Sequence, residues 1–487
     1  MATLKNLLAQ EAMLASQQAA LSSQQAAISI QQHALEHSLA RVRVHIAEER
    51  NMSAGTYNLP SETLTAIFEA GIDESSHPTA RAKAFLERSE QPLPIPFEMR
   101  MSAVSRRWRN VALQTPLLWT NLWINFMQPM QGLHDLYLDR SKTCLLDITL
   151  VPFERHKPNF TNHHDVGVRF KQYMELLIPH VGRWRKLAIQ KTFPGDVSEP
   201  YSVLTHLYAP ALEILEAEIH SQPRLAVEVF SGGAPHLSSV ELRGAYFRPP
   251  QGAVKYLSLS YIGPPISHGQ FSQLIRPMSS LTHLTMELTV YEDISIPSIE
   301  LPSVIWVDIS QYDLYGFSVG TLRFLDLPAV EKLTFRGYSH EVIRAVAQNG
   351  RLYPSVTSLT MIRTGQDVNH AHQVDTPVTI NFMSLLPNIR DITFQGVDST
   401  PILHALHDHK STDTLLWPHL FAITVTPAVK ARVSLKLAMW DYIVKVVESR
   451  LQLSTPISHI TLSSQIIGRI GNKQQQWLRG QVTLTEG

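Results

Sequence analysis

Apolar positions recur along most of the chain in one short phrase: proline, any residue, apolar, two residues, apolar, one residue, apolar. It appears as "PALEILEA" (Leu212, Leu215, Ala217), "PHLSSVEL" (Leu237, Val240, Leu242) and "PSVIWVDI" (Val304, Val307, Ile309). It returns as "PAVEKLTF" (Val330, Leu333, Phe335), "PSVTSLTM" (Val356, Leu359, Met361), "PNIRDITF" (Ile389, Ile392, Phe394) and "PHLFAITV" (Leu420, Ile423, Val425). Without the proline it stands at Trp119, Leu145, Trp184, Val254, Leu281 and Ile457. The last two apolar positions lie two apart, the period of a strand with one buried face.

Several steps between phrases are near 26 residues, such as 304 to 330 to 356, and 119 to 145. A period in this range with a phrase close to L-x-x-L-x-L marks a leucine-rich repeat. One unit cannot bury its apolar face alone, so the units must stack as a solenoid. The spacing predicts that Leu333, Phe335, Leu359, Met361, Ile392 and Phe394 face the interior, with Thr334, Thr360 and Thr393 on the opposite, concave surface. Stretches between phrases look helical in places: "VRFKQYMELLIPHV" puts Phe170, Tyr173, Leu177 and Ile178 on one face, and "SHEVIRAVAQN" does so with Val342, Ile343 and Val346. "GFSVGTLRFLDL" is too short and glycine-rich for a regular helix. "SLKLAMWDYIVKVVESRL" predicts an amphipathic helix with Val444, Val447 and Leu451 along it, beside Trp440 and Ile443. The expectation is an α/β horseshoe with uneven outer segments over residues 126–487, its last segment acting as a cap.

Residues 1–50 carry a different pattern. Leu7, Leu14, Leu21, Ile28, Leu35 and Val42 recur every seven residues, in a background of Ala and Gln. Those residues favour helix, and a seven-residue repeat points to a coiled-coil seam. The second seam position holds Gln18, Gln25 and Gln32, which weakens the seam. Two readings follow, a weakly self-associating coil and a solvated helical lead.

Residues 51–58 read as a linker. In "LPSETLTAIFEAG", Pro60, Ser61 and Glu62 start a helix. Leu64, Ile67 and Phe68 share its face, and Gly71 can end it. Residues 72–96 read as a charged, proline-closed loop or loosely helical insertion. "FEMRMSAVSRRWRNVALQ" predicts a second helix with Met101, Val104, Trp108, Val111 and Ala112 on one buried face.

The motif "LP-E-L--IF" followed by "VSRRWRNVAL--P-LW" resembles an F-box, carried by Leu59, Pro60, Glu62, Leu64, Ile67, Phe68, Val104, Ser105, Trp108, Arg109, Ala112, Pro116, Leu118 and Trp119. With a Gln-rich start and a degenerate leucine-rich tail, nearly the whole chain resembles the F-box proteins numerous in mushroom-forming fungi. The resemblance implies an F-box-like domain at 56–125 that docks on a Skp-type adaptor, and through it on a cullin, while the repeats hold a target protein for ubiquitination. It implies adaptor contacts at Leu59, Pro60, Leu64, Ile67, Phe68, Val104, Trp108, Leu118 and Trp119. The 72–96 insertion separates the two F-box halves further than the compact family pattern, and Met101 stands where leucine is more frequent.

Charge and composition narrow the rest. The 487 residues carry 42 basic and 42 acidic side chains and one cysteine, Cys144. A balanced charge argues against nucleic-acid binding, one cysteine excludes an intrachain disulfide, and no apolar run is long enough to span a membrane. The first residues read as lacking a secretory or mitochondrial leader, so the expected location is intracellular, cytoplasmic or nuclear. "HALEH" (His33, Glu36, His37) matches a zinc-peptidase pattern but sits in a solvated heptad with no third ligand. "GFSVG" (Gly316, Ser318, Gly320) matches a serine elbow, with Asp326 and His340 downstream, yet the repeat register explains the segment without them. Histidines cluster at His163 and His164, His370 and His372, and His404, His407 and His409, where exposed loop histidine is the simpler reading than a four-ligand metal site. The sequence therefore predicts no catalytic, cofactor or metal residues.

Overall fold

The computed structural model describes residues 2–53, 55–75, 95–126, 132–151, 163–192, 201–219, 227–244, 247–250, 253–260, 266–288, 290–291, 298–310, 318–337, 339–363, 376–408, 415–426, 433–468 and 471–486. The chain divides into two compact units, Met1–Trp119 with Leu138–Lys142, and Thr120–Tyr137 with Thr143–Gly487.

The first unit opens with α1 (Ala2–Ser53), an uninterrupted helix of 52 residues. The stretch expected as a linker holds the end of α1 and a 3₁₀ turn, Gly55–Asn58. Then α2 (Ser61–Ser75) begins directly after Pro60. It runs past Gly71 rather than ending there. A Cβ at Gly71 would lie 2.3 Å from Cζ of Phe97, so this glycine serves close approach of an aromatic ring, not termination. Most of the expected insertion, residues 76–94, lies outside the described residues.

The single helix expected at 97–114 is two, α3 (Phe97–Val104) and α4 (Arg106–Gln114). Ser105 breaks them with extended backbone (φ −157°, ψ 167°), and its Oγ accepts the Trp108 N–H at 3.1 Å. This is an N-cap, which satisfies one of the amides a helix start leaves unpaired. The break separates the turn of Val104 from that of Val111 and Ala112: the latter two are buried and Val104 is exposed.

The second unit is a parallel sheet of fourteen strands among the described residues, whose spatial order follows the chain. They are β1 (Asn121–Asn125), β2 (Leu146–Val151), β3 (Trp184–Thr192), β4 (Ile214–Ile219), β5 (Ser239–Arg243), β6 (Tyr256–Ser260) and β7 (His283–Glu287). Then come β8 (Trp306–Ser310), β9 (Lys332–Arg336), β10 (Ser358–Ile362), β11 (Asp391–Gln395), β12 (Ala422–Thr426), β13 (His459–Leu462) and β14 (Thr483–Glu486). The sheet stays open, with β1 and β14 at its edges. Parallel neighbours need crossovers. Some are helical, among them His163–Leu177, His268–Ile275, Ser339–Asn349, Thr376–Ser384, Thr400–His407 and Val433–Gln452. Others use 3₁₀ turns such as Ser318–Phe324 and two-residue strand pairs such as Ile299–Glu300 with Leu325–Asp326.

Each of the thirteen phrases ends on one of the first thirteen strands. Leu333 pairs with Leu359 and that with Ile392; Phe335, Met361 and Phe394 align in the same way, as do Thr334, Thr360 and Thr393. The two apolar rows are buried along the ladder, from Leu122 and Ile124 to Ile460 and Leu462. The alternate residues form the other face. The fourteenth strand carries no phrase; there the apolar rows end on Leu484 and Glu486, and the carboxylate closes the row toward water.

The helix Val433–Gln452 differs in detail from its expected face. Leu451 is exposed, whereas Met439, Trp440, Ile443, Val446, Val447 and Arg450 are buried. The Arg450 guanidinium donates to the Trp417 carbonyl at 3.2 Å and to the Leu416 carbonyl. Burial pulls its pKa down to about 10. Ile178 likewise falls in a 3₁₀ turn, Ile178–Arg183, beyond the helix that buries Phe170, Tyr173 and Leu177.

Candidate functional site

Two surfaces merit a functional reading. The first is the small bundle of α2, α3 and α4 with the 3₁₀ turn Pro116–Trp119. The nine residues implicated by the F-box resemblance fall into two groups. Leu64, Phe68, Leu118 and Trp119 are buried. Phe68 packs against Trp108 with ring centroids 5.2 Å apart. Trp119 Nε1 donates to the Ala112 carbonyl at 2.9 Å, and the Arg140 guanidinium lies 4.4 Å over its ring. These four hold the bundle together. Pro60, Ile67 and Val104 are exposed, and Leu59 and Trp108 are half-buried. Ile67 keeps 46 % of its surface in solvent.

Arg107 fixes the approach to α2. Its guanidinium donates to the Leu59 carbonyl and lies 5.5 Å over the Tyr57 ring. Sequence reasoning missed Tyr57 and Leu117, both exposed apolar side chains of the same unit. The run "PLLW" held the second signal, because a 3₁₀ turn that buries Leu118 and Trp119 leaves Leu117 outside.

The second surface is the face of the sheet opposite the buried apolar rows. Tyr256, His283 and Trp306 occupy one register row on β6, β7 and β8. Tyr256 and His283 have ring centroids 4.5 Å apart, His283 and Trp306 5.3 Å. Tyr256 is 49 % exposed and Trp306 40 %. Burial lowers the His283 pKa, and the nearby Lys332 lowers it further. The ring is thus neutral near pH 7, and Thr282 Oγ1 lies 2.8 Å from its Nδ1. Further along these strands and on the neighbouring β5 and β9 are charged groups. Arg336 Nε lies 2.9 Å from both Asp308 oxygens, and its Nη2 2.8 Å from Oδ2. Arg243 meets Glu241 at 2.7 Å. Glu287 accepts from Ser260 at 2.9 Å; burial raises its pKa, while the Ser260 bond and Arg243 oppose the rise. The phrase pattern identified the strands but not this aromatic row, because it constrains only the buried positions.

The remaining motifs gain no site from the structure. His33 and Glu36 form a 3.7 Å pair on the solvated side of α1. Among the described residues, no three His, Cys, Asp or Glu side chains gather as metal ligands, and no helix is long and apolar enough to cross a membrane. Ser318 begins a 3₁₀ turn rather than the α-helix that a serine elbow requires. The side chains of Ser318, His340, His163 and His164, together with His370, His372 and His409, lie outside the described residues. No family model matches this chain, and no curated protein matches it.

Proposed function

We propose that this chain is an F-box-type substrate receptor of a Skp–cullin ubiquitin ligase, built from an adaptor-binding helical bundle and a degenerate leucine-rich-repeat horseshoe. The observation that carries the reading is the split within the bundle. Leu64, Phe68, Leu118 and Trp119 close its core while Pro60, Ile67 and Val104 stay in solvent. Exposed apolar side chains on a small bundle mark a partner site. The adaptor would cover Pro60, Ile67 and Val104, with Leu59 and Trp108 at the margin. The thirteen repeat phrases on one parallel ladder support the repeat assignment, and the partly exposed Tyr256–His283–Trp306 row offers an aromatic anchor for a target protein. Such a receptor contributes no reacting group. It accelerates transfer by holding the target near the transferring enzyme, which raises the effective concentration.

Affinity capture of the full chain with a recombinant Skp-type adaptor tests the proposal. A stable complex is expected. A folded chain that never captures the adaptor favours the alternative, a repeat scaffold without a ligase role.

A further inference from the structure

Among the described residues, the longest helix, α1, leaves its apolar seam exposed. α1 spans about 78 Å at 1.5 Å per residue. It carries fourteen large apolar side chains, each between 44 and 70 % exposed. Six of them, Leu7, Leu14, Leu21, Ile28, Leu35 and Val42, repeat at seven-residue steps. Leu4, Leu39 and Ile46 extend the second seam position on either side of Gln18, Gln25 and Gln32. A strict seven-residue stripe keeps facing a partner only if two helices supercoil. The exposed area of these nine apolar residues is on the order of the roughly 800 Å² per partner that a stable interface takes.

We propose that two copies of this chain pair through α1 as a parallel, in-register, two-stranded coiled coil. The choice of a second copy rests on self-complementarity. In a parallel pair in register, every seam residue meets its own twin. Leucine and isoleucine then form apolar layers, and each glutamine meets a glutamine, whose amide both donates and accepts. Polar seam residues of this kind fix register and strand number at some cost in stability. An antiparallel pair would set each glutamine against an apolar residue and bury an amide without a partner. Residues 12–35 contain no Asp, Glu, Lys or Arg, so over that central stretch the seam layers alone decide the orientation. Two positions oppose the arrangement: Glu11 in the glutamine row and Glu49 at the end of the apolar row would each face their own twin. The pairing does not depend on adaptor binding and would give the assembly two target-holding sheets.

Sedimentation equilibrium on the full chain provides the test. The expected mass is twice the 54.8 kDa of the chain. Leu21→Lys with Ile28→Lys should give monomer with an unchanged melting temperature, since both side chains are exposed in the single chain. Glu11→Gln should tighten the dimer several-fold by removing the facing charges. In a Cys144→Ser background, Gln18→Cys should form a disulfide-linked dimer on mild oxidation, because only the parallel register brings the two positions together. A monomer at every concentration, a trimer mass, or a dimer that forms no cross-link through Gln18→Cys would each overturn the proposal.

Discussion

Ile67 and Phe68 are adjacent in sequence and opposite in surroundings. Phe68 is buried against Trp108, and Ile67 projects into solvent. Phe68→Ala should therefore cost roughly 3–5 kcal/mol of stability, as truncation of a buried phenylalanine does. Ile67→Ala should stay within about 0.5 kcal/mol, the usual range for a surface change. Denaturant unfolding of both variants checks the split, and equal losses would remove the surface assignment of Ile67. His268 poses a different question. It is buried, and neither ring nitrogen has a hydrogen-bond partner. Burial lowers its pKa below the ordinary 6.5, with a further contribution from Arg276. In the unfolded chain the ring takes up a proton as pH falls through about 6.5, while in the folded chain it does so only at lower pH. Stability from this group is thus complete above about pH 6.5 and declines below it. Chemical denaturation at pH 7.5 and 5.5 should show a smaller loss for His268→Leu than for wild type. An equal loss would assign the acid sensitivity to other groups.

At the scale of elements, the strands were legible, as were the start of α2 at Ser61 and the helix Ser339–Asn349, whereas the break at Ser105 and the run of α2 through Gly71 were not. Two apolar residues spaced two apart sufficed for each of the first thirteen strands, because a buried face imposes that period directly. The fourteenth lacked the signal, since an edge strand ending in Glu486 has no interior left to fill. In the bundle, the apolar spacing from Met101 to Ala112 suited one continuous helix. The competing instruction was a single side chain, Ser105, whose oxygen caps α4. Gly71 misled for a related reason: glycine suits both a helix end and a close contact, and only the Phe97 ring beside it decides between them. Ser105→Ala should lose about 1 kcal/mol, with Ser105→Asp retaining most of it. A shift in urea midpoint at unchanged slope would report this loss, whereas no shift in Ser105→Ala would mean the cap is not what breaks the helix.

At the scale of the whole molecule, the chain combines a long exposed helix, a small bundle and a fourteen-strand ladder. The repeat phrase foretold the ladder because every unit repeats the same burial requirement. It could not foretell Tyr256, His283 and Trp306, whose row faces away from the interior and is free of that requirement. The proposed docking residues were legible only as a group. The F-box resemblance selected nine positions, and burial then divided them into a core set and a surface set. That division is what makes the receptor account testable on one residue. The most direct measurement is a binding titration of the full chain with a recombinant Skp-type adaptor, for wild type and for Ile67→Ala. Interface anchors commonly contribute about 2 kcal/mol, so the account predicts a wild-type complex weakened roughly 30-fold by Ile67→Ala, with the melting temperature unchanged. Absence of binding by folded wild-type chain, or equal affinity of the two proteins, would contradict it.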